Sequence, residues 1–465
     1  MSSITQVSEA MQDILTTRAK ALERQSGFVQ RSSAQLDGPT FAQMTVFSWM
    51  DTPEASYSQL RHTAASLGVQ VSNQAVEQRF SAQSAALLKS LLQEAVSEVI
   101  SSEASVPELF GRFKGVFVQD GTRISLPPQL AEEWPGCGGS TSEAGKSSMQ
   151  IQVRLDLAQG GMQGPWLQAG RASERSGAAH EAPLPKAGFY DVDSGYFTLL
   201  EMRRHSQDGV YWLAPAKASV QFYDRRGVCW DLVSFLREQT GDEVDLPVWL
   251  GVKERVPARL LAKRVSETEA KRRREVANQP VEGKPKGVQR LGANSRRPQP
   301  QKRPRFQKRK KVGPARLELL GWTILVTNVP AELLTLDEAL IFARCRWQIE
   351  LCWKLWKQVG KLDTWRSAKP ERILTEMYAK LLGLLIAHWL TLLECWQAPN
   401  RSLVKARQVV AWMAPALALG VAGVVSLETM VERTSATMAS GCTVESRRKR
   451  PATYQLVADP KLIHS

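Results

Sequence analysis

The stretch Phe342-Ala343-Arg344-Cys345-Arg346-Trp347-Gln348-Ile349-Glu350-Leu351-Cys352-Trp353-Lys354-Leu355-Trp356-Lys357 decides the reading of this chain. It has the pattern of a strong helix. Thr335 followed three residues later by Glu338 is a capping-box start, and Gly360 is a stop. No Pro or Gly lies between them. Residues three, four and seven apart share a helix face. Arg346, Glu350, Lys354 and Lys357 therefore fall on one side, while Ile349, Trp353 and Trp356 fall on another that can be buried. One acid ringed by bases, on a helix held by large aromatics, suits a carboxylate that holds a metal ion beside a phosphate backbone. A solvated face laced with ion pairs fits the helix alone equally well.

The totals narrow the choice. The chain has 465 residues, 43% of them hydrophobic and 23% charged, as in an ordinary globular protein with room for several domains. The net charge of +15 is not ordinary and favours a polyanionic partner, nucleic acid first. The excess is local: residues 263–311 hold 18 Lys/Arg against 4 Asp/Glu. Its start reads as helical through Arg274. From Gln279 on it has no period, is expected to be disordered when free, and suits phosphate contact, ending in Lys308-Arg309-Lys310-Lys311. A smaller basic cluster is Arg447-Arg448-Lys449-Arg450.

The six cysteines are scattered without a CxxC pair, which suits reduced thiols in a cytoplasmic protein. The five histidines are dispersed too, so a His-ligated metal is not expected. Residues 409–425 are apolar but short for a membrane span and carry Pro415, Gly420 and Gly423, so no membrane association is expected.

Residues 1–105 read as helical. Ser58 to Leu67 gives a short helix, Gly68 a turn, and Ser72 a cap for a second helix with Gln74, Gln78 and Arg79 outward. That pattern fits a helix-turn-helix that reads DNA, and also any small helical hairpin. From Gly115 the period changes. Val116-Phe117-Val118-Gln119-Asp120 is expected to be a buried strand ended by Gly121-Thr122, with Asp120 at its C-terminal end. Gly145-Lys146-Ser147 tempts a phosphate-loop reading, but Ser140 stands where that motif needs Gly. Ile151, Val153, Leu155 and Leu157 alternate as a second strand, and 164–172 suggests a third. Gly188 to Asp193 reads as a strand, Ser194-Gly195 as a turn, and Phe197 to His205 as a helix. An acid at such a strand end stands where α/β sheets keep their ligands; its simpler role is to cap the helix. Short strands follow over 216–262. Gly321 to Asn328 is a strong strand before the central helix. Ile373–Trp396 and Val404–Val425 are long apolar helices that suit packing or dimer formation.

Three acids stand out: Asp120, Asp193 and Glu350, with Asp191 a rival to Asp193. Two carboxylates 4 Å apart repel by roughly 4 kcal/mol at an effective dielectric near 20. Such a cluster makes sense if hard divalent cations, Mg or Mn, sit between the oxygens. Two such ions suit phosphoryl transfer.

These motifs resemble the bacterial insertion-sequence transposases of the DDE superfamily, the type-four group with a Tyr-Arg-Glu-Lys signature. Arg346, Glu350 and Lys357 match its spacing. Asp193-Ser194-Gly195-Tyr196-Phe197 matches the block of the second acid, and Val118-Gln119-Asp120-Gly121-Thr122 that of the first. The signature Tyr falls on Ala343, beside Phe342, which removes a hydroxyl expected at a DNA phosphate. The long basic, Pro-rich stretch is not a required family feature.

The resemblance implies an α/β fold: a ribonuclease-H-like core with a β-rich insertion, plus helical N-terminal and C-terminal domains. The expected order is a DNA-binding domain over 1–105, the core over 106–215 and 316–372, the insertion with the basic segment over 216–315, and a packing or dimerisation domain over 373–465. It also implies a homodimer acting on inverted-repeat ends and target double-stranded DNA. It assigns Asp120, Asp193 and Glu350 as catalytic metal ligands for Mg or Mn, two ions in all. Arg346, Lys354 and Lys357 would hold phosphate, and Trp322 would stack on a base. Arg79, Lys308, Arg309, Lys310 and Lys311 are further DNA contacts expected from the charge and helix pattern.

Overall fold

The computed structural model describes residues 3–30, 35–103, 105–137, 145–217, 219–278, 313–396, 398, 400–444 and 451–464. Lys308, Arg309, Lys310, Lys311 and the cluster at 447–450 lie outside the described residues. The protein has a mixed α/β architecture. Its chain divides into two compact units, one of residues 1–107, 120–181 and 347–454, the other of 108–119, 182–346 and 455–465.

The strands, in chain order, are β1 (Val116–Leu126), β2 (Ser147–Asp156), β3 (Met162–Ala169), β4 (Phe189–Asp191), β5 (Tyr211–Pro215), β6 (Phe222–Tyr223), β7 (Cys229–Trp230), β8 (Glu243–Leu250), β9 (Val256–Arg264) and β10 (Trp322–Thr327). The second unit holds most of the sheet, in the order β1-β4-β5-β10-β9-β8-β6-β7. β1, β4 and β5 run parallel, with Val118 opposite Asp191 and Asp191 opposite Leu213. The pairings from β5 onward are antiparallel. One core packs against this sheet, with Phe117, Trp212, Leu250, Leu260 and Trp322 in it.

β1 does not stop at Gly121-Thr122 as expected but runs to Leu126. Its first four residues are buried on both faces; from Asp120 on, the pattern loosens and then alternates, with Ile124 and Leu126 inside and Arg123 and Ser125 outside. Asp120 therefore sits mid-strand. β4 is shorter than expected and ends at Asp191, so Asp193 lies in the turn beyond it. β2 was expected to alternate, yet Gln150, Gln152 and Arg154 are buried as fully as Ile151 and Val153. Arg154 donates to the Ala179 carbonyl and to Gln163 Oε1, which satisfies a charge that apolar surroundings would not.

The first unit is mainly helical. Helix Pro370–Cys395 is buried on nearly all sides, as a helix apolar all round must be. It is the one helix among the described residues long and apolar enough to cross a bilayer, and 94% of its most apolar window is buried inside this unit. Gly38–Asp51 and Ala82–Ser97 pack on it, as do Leu403–Val421 and Leu427–Gly441; the sequence reading had not separated the last of these.

The paired short helices near the N-terminus are Tyr57–Ser66 and Asn73–Gln78, with Gly68 between them at φ +85°, a conformation that glycine adopts without strain. Ser72 caps the second by accepting from Ala75 N–H. Arg79 does not point outward as expected. Its guanidinium lies 3.9 Å from the Phe28 ring centroid and donates to the Leu36 carbonyl.

Candidate active site

The helix that carries Glu350 begins as the sequence indicates. Thr335 accepts from Glu338 N–H, and the Glu338 side chain accepts in return from the Thr335 backbone. It is not one continuous helix, however. Leu336–Cys345 ends at Arg346, Trp347–Lys354 follows, and Leu355–Val359 widens to a π-helical turn closed by Gly360 N–H donating to Leu355 O. Arg346 keeps helical dihedrals, at φ −52° and ψ −28°, with its N–H a long 3.3 Å from Phe342 O. The backbone slackens without a Pro or Gly, at the residue where the chain passes from one unit to the other.

Asp120 and the Glu350 helix meet within the first unit. Trp353 Nε1–H donates to Asp120 Oδ2 at 3.0 Å, and Gly121 N–H donates to Asp120 Oδ1 at 2.8 Å. Trp353 stands three residues past Glu350, on a neighbouring position of the helix surface. Ile349, Trp353 and Trp356 are buried as expected, and Glu350 is partly exposed. Lys354 is exposed and Lys357 partly so. Cys352 is no nucleophile: burial, then the nearby Asp120 charge, push its thiol up to about 12. All six cysteines are free thiols.

The second unit holds Asp191, Asp193, Arg346 and Trp322. Asp193 Oδ1 lies 3.2 Å from Arg346 Nη1, and its Oδ2 accepts from Gly195 N–H in the turn. Asp191 is fully buried, and burial pushes its carboxyl up to about 8, against the opposing pull of Arg346. Its Oδ2 has no hydrogen-bond partner. Trp322 is only 7% exposed, with the Arg264 guanidinium 4.3 Å from its ring centroid. Arg264 is its cross-strand partner, so the two share a face of the sheet. Phe342 does not stand in for the missing Tyr: it is fully buried against Phe110, Phe113 and Phe189. Ala343 is partly exposed.

Two features of the candidate site were not foreseen. Trp353 was read as core, although a buried indole N–H generally seeks an acceptor and was itself a signal. Asp191 was seen only as a rival carboxylate, not as a buried neutral one. As to metal, the acids offer the hard oxygens that Mg and Mn prefer, so the donor chemistry fits. Among the described residues, no three or more His, Cys, Asp or Glu side chains are grouped as a metal site.

Residues 111–386, more than half of the chain, match the family described as the transposase DDE domain. The chain belongs to this family. Among curated relatives of this DDE transposase is the transposase for insertion sequence element IS231E of Bacillus thuringiensis subsp. finitimus. It is 23% identical over 401 residues, which covers 81% of this chain and 78% of the relative. The IS231D transposase of the same organism is 24% identical, covering 78% and 75%. The transposase for IS1151 of Clostridium perfringens is 22% identical, covering 79% and 76%. The family implies phosphoryl transfer on DNA, and the matched residues take in Asp120, Asp193, Trp322 and the whole Glu350 helix.

Proposed function

We propose that this chain is a cut-and-paste transposase. It binds the inverted-repeat ends of its element, hydrolyses phosphodiester bonds there and joins the 3′-hydroxyl to target DNA. The observation that carries the reading is the Trp353–Asp120 hydrogen bond, which fastens the Glu350 helix to the strand of the first acid. The parallel strands and flanking helices are consistent with a ribonuclease-H-like core interrupted by the antiparallel strands β6 to β9.

In this reading Asp120, Asp193 and Glu350 hold two divalent ions, Mg or Mn. When bound, these supply an activated oxygen nucleophile and neutralise charge on the leaving oxygen. The chain's own residues position the DNA. Lys354 and Lys357 contact phosphate, Arg346 leaves Asp193 to do the same, and Trp322 stacks on a base once Arg264 moves aside. Gln74 and Gln78 on the N-terminal helix pair read DNA, the basic segment 263–311 adds phosphate contacts, and the C-terminal helices pair two copies. The protein acts in the cytoplasm, at the nucleoid.

Purified protein with Mn should nick DNA that carries the element's own ends, and Asp193→Ala should abolish the nicking. Equal cleavage by Asp193→Ala refutes the assignment. Ala343 at the signature Tyr position supports one other reading, a catalytically impaired DNA-binding protein. Specific binding of the ends without metal-dependent nicking selects it.

A further inference from the structure

Inside the first unit, behind the Glu350 helix, lies a cavity of about 50 Å³. Its walls are mostly apolar, with Leu155, Leu355, Leu384 and Trp396 among them. One lining side chain is charged: Arg407, from helix Leu403–Val421. Among the described residues no carboxylate lines the cavity. Arg407 is 5% exposed, and its Nε and Nη1 have no hydrogen-bond partner among the described residues. Burial lowers it to about 10, so it remains a cation at neutral pH. The other ionisable lining groups are neutral there: burial lowers His388 to about 4, with its Nε2 2.7 Å from the Gly160 carbonyl, and raises the Cys352 thiol to about 12. A buried guanidinium generally has an acceptor, and one without it is strongly disfavoured.

We propose that this cavity is a binding site for a small organic monoanion, a short-chain carboxylate such as propionate, with Arg407 taking the carboxylate and the apolar walls its alkyl end. The size sets the class. A water needs roughly 10–15 Å³ of such space, so the cavity takes a ligand of a few heavy atoms. The single cation matches one negative charge, and the apolar lining disfavours strongly hydrated dianions such as sulfate. Leu355 and Trp356 bring the π-helical turn, and Cys352 the helix before it, to the cavity wall, so an occupant would brace the segment that follows Glu350. The site is independent of the transposase reading and of any metal.

The test is thermal unfolding of the full chain in sodium propionate against sodium chloride and sodium sulfate at equal ionic strength. At propionate several times its Kd, Tm should rise by about 1 °C over chloride. The rise should vanish in Arg407→Met, which removes the charge, and in Ala387→Leu, which fills the space and leaves Arg407 in place. If Arg407→Met fails to fold, Ala387→Leu decides. Hydrogen exchange should also slow over 352–359 in wild type. No rise, an equal rise with chloride or sulfate, or a rise that persists in the folded variants overturns the proposal.

Discussion

Replacing Trp353 by Phe tests the contact on which the candidate site depends. The substitution keeps an aromatic ring against Trp356, whose centroid lies 5.3 Å away in an edge-on arrangement, but removes the N–H that Asp120 Oδ2 accepts at 3.0 Å. A hydrogen bond to a charged acceptor contributes about 1.5–3 kcal/mol when buried. Asp120 is only half-buried, which brings the expected value toward about 1–2 kcal/mol. The smaller ring adds a packing loss unrelated to Asp120. A double-mutant cycle separates the two: wild type, Trp353→Phe, Asp120→Ala and the pair, each unfolded in urea and followed by circular dichroism. The packing loss cancels in the cycle, and the coupling left over should be about 1–2 kcal/mol, a factor of roughly 5–30 in the unfolding equilibrium. In the nicking assay, Trp353→Phe should need more Mn for half-maximal rate, because Asp120 is no longer held. A coupling below about 0.5 kcal/mol together with an unchanged Mn requirement refutes the reasoning.

Gly360→Ala would place its Cβ 2.8 Å from Leu384 Cδ2 and 2.9 Å from the Trp356 carbonyl oxygen, so urea unfolding should show a loss of about 1–3 kcal/mol. His388 is held neutral, lowered to about 4, so the stability it contributes is complete above its ordinary pKa near 6.5 and is lost as pH falls through about 4. His388→Gln should flatten Tm against pH between those values, and an unchanged slope counts against it. Asp191 has the opposite sign: raised to about 8, it contributes stability that is complete below its ordinary 3.8 and is lost as pH rises to about 8. Asp191→Asn should therefore be the more stable protein at pH 8 by about 1–3 kcal/mol, with the advantage disappearing near pH 4, in urea titrations at the two pH values.

What could be read from the sequence was what local physics fixes. The Thr335–Glu338 box starts its helix because both partners lie within one turn. Trp322 to Thr327 forms a strand because an apolar β-forming run leaves little else. The helix break at Arg346 was invisible: nothing there is a helix breaker, and the cause is tertiary. Cys345 is buried in one unit and Ile349 in the other, so one helical register serves two cores. The acceptor of the Trp353 indole was equally out of reach, since Asp120 lies 233 residues away. Arg79 was placed outward by periodicity, which has no knowledge of Phe28. Arg407 reads as one of two charges, with Lys405, near the start of a mostly apolar helix, and no pattern says that two of its guanidinium nitrogens lack an acceptor.

The Arg346–Asp193 ion pair competes with the proposed role of Arg346 at DNA phosphate, and the magnitudes decide how strongly. The two side chains are 25% and 30% exposed, and ion pairs so open to water contribute only about 0–1 kcal/mol. A guanidinium–phosphate contact that is charge-assisted and bidentate contributes more, so the Asp193 pair by itself does not hold Arg346 away from phosphate. Asp191 sets how tightly Arg346 is held. Protonated at neutral pH, Asp191 exerts no net charge on Arg346; ionised above about pH 8, it adds its attraction to that of Asp193, and the guanidinium is held back more strongly. Affinity for the element's ends should thus fall as pH rises through about 8 in wild type, by a few-fold, and stay level in Asp191→Asn. Fluorescence anisotropy with labelled end DNA at constant ionic strength reads this directly. A parallel decline in both proteins would place the titrating group elsewhere and remove Asp191 from control of Arg346.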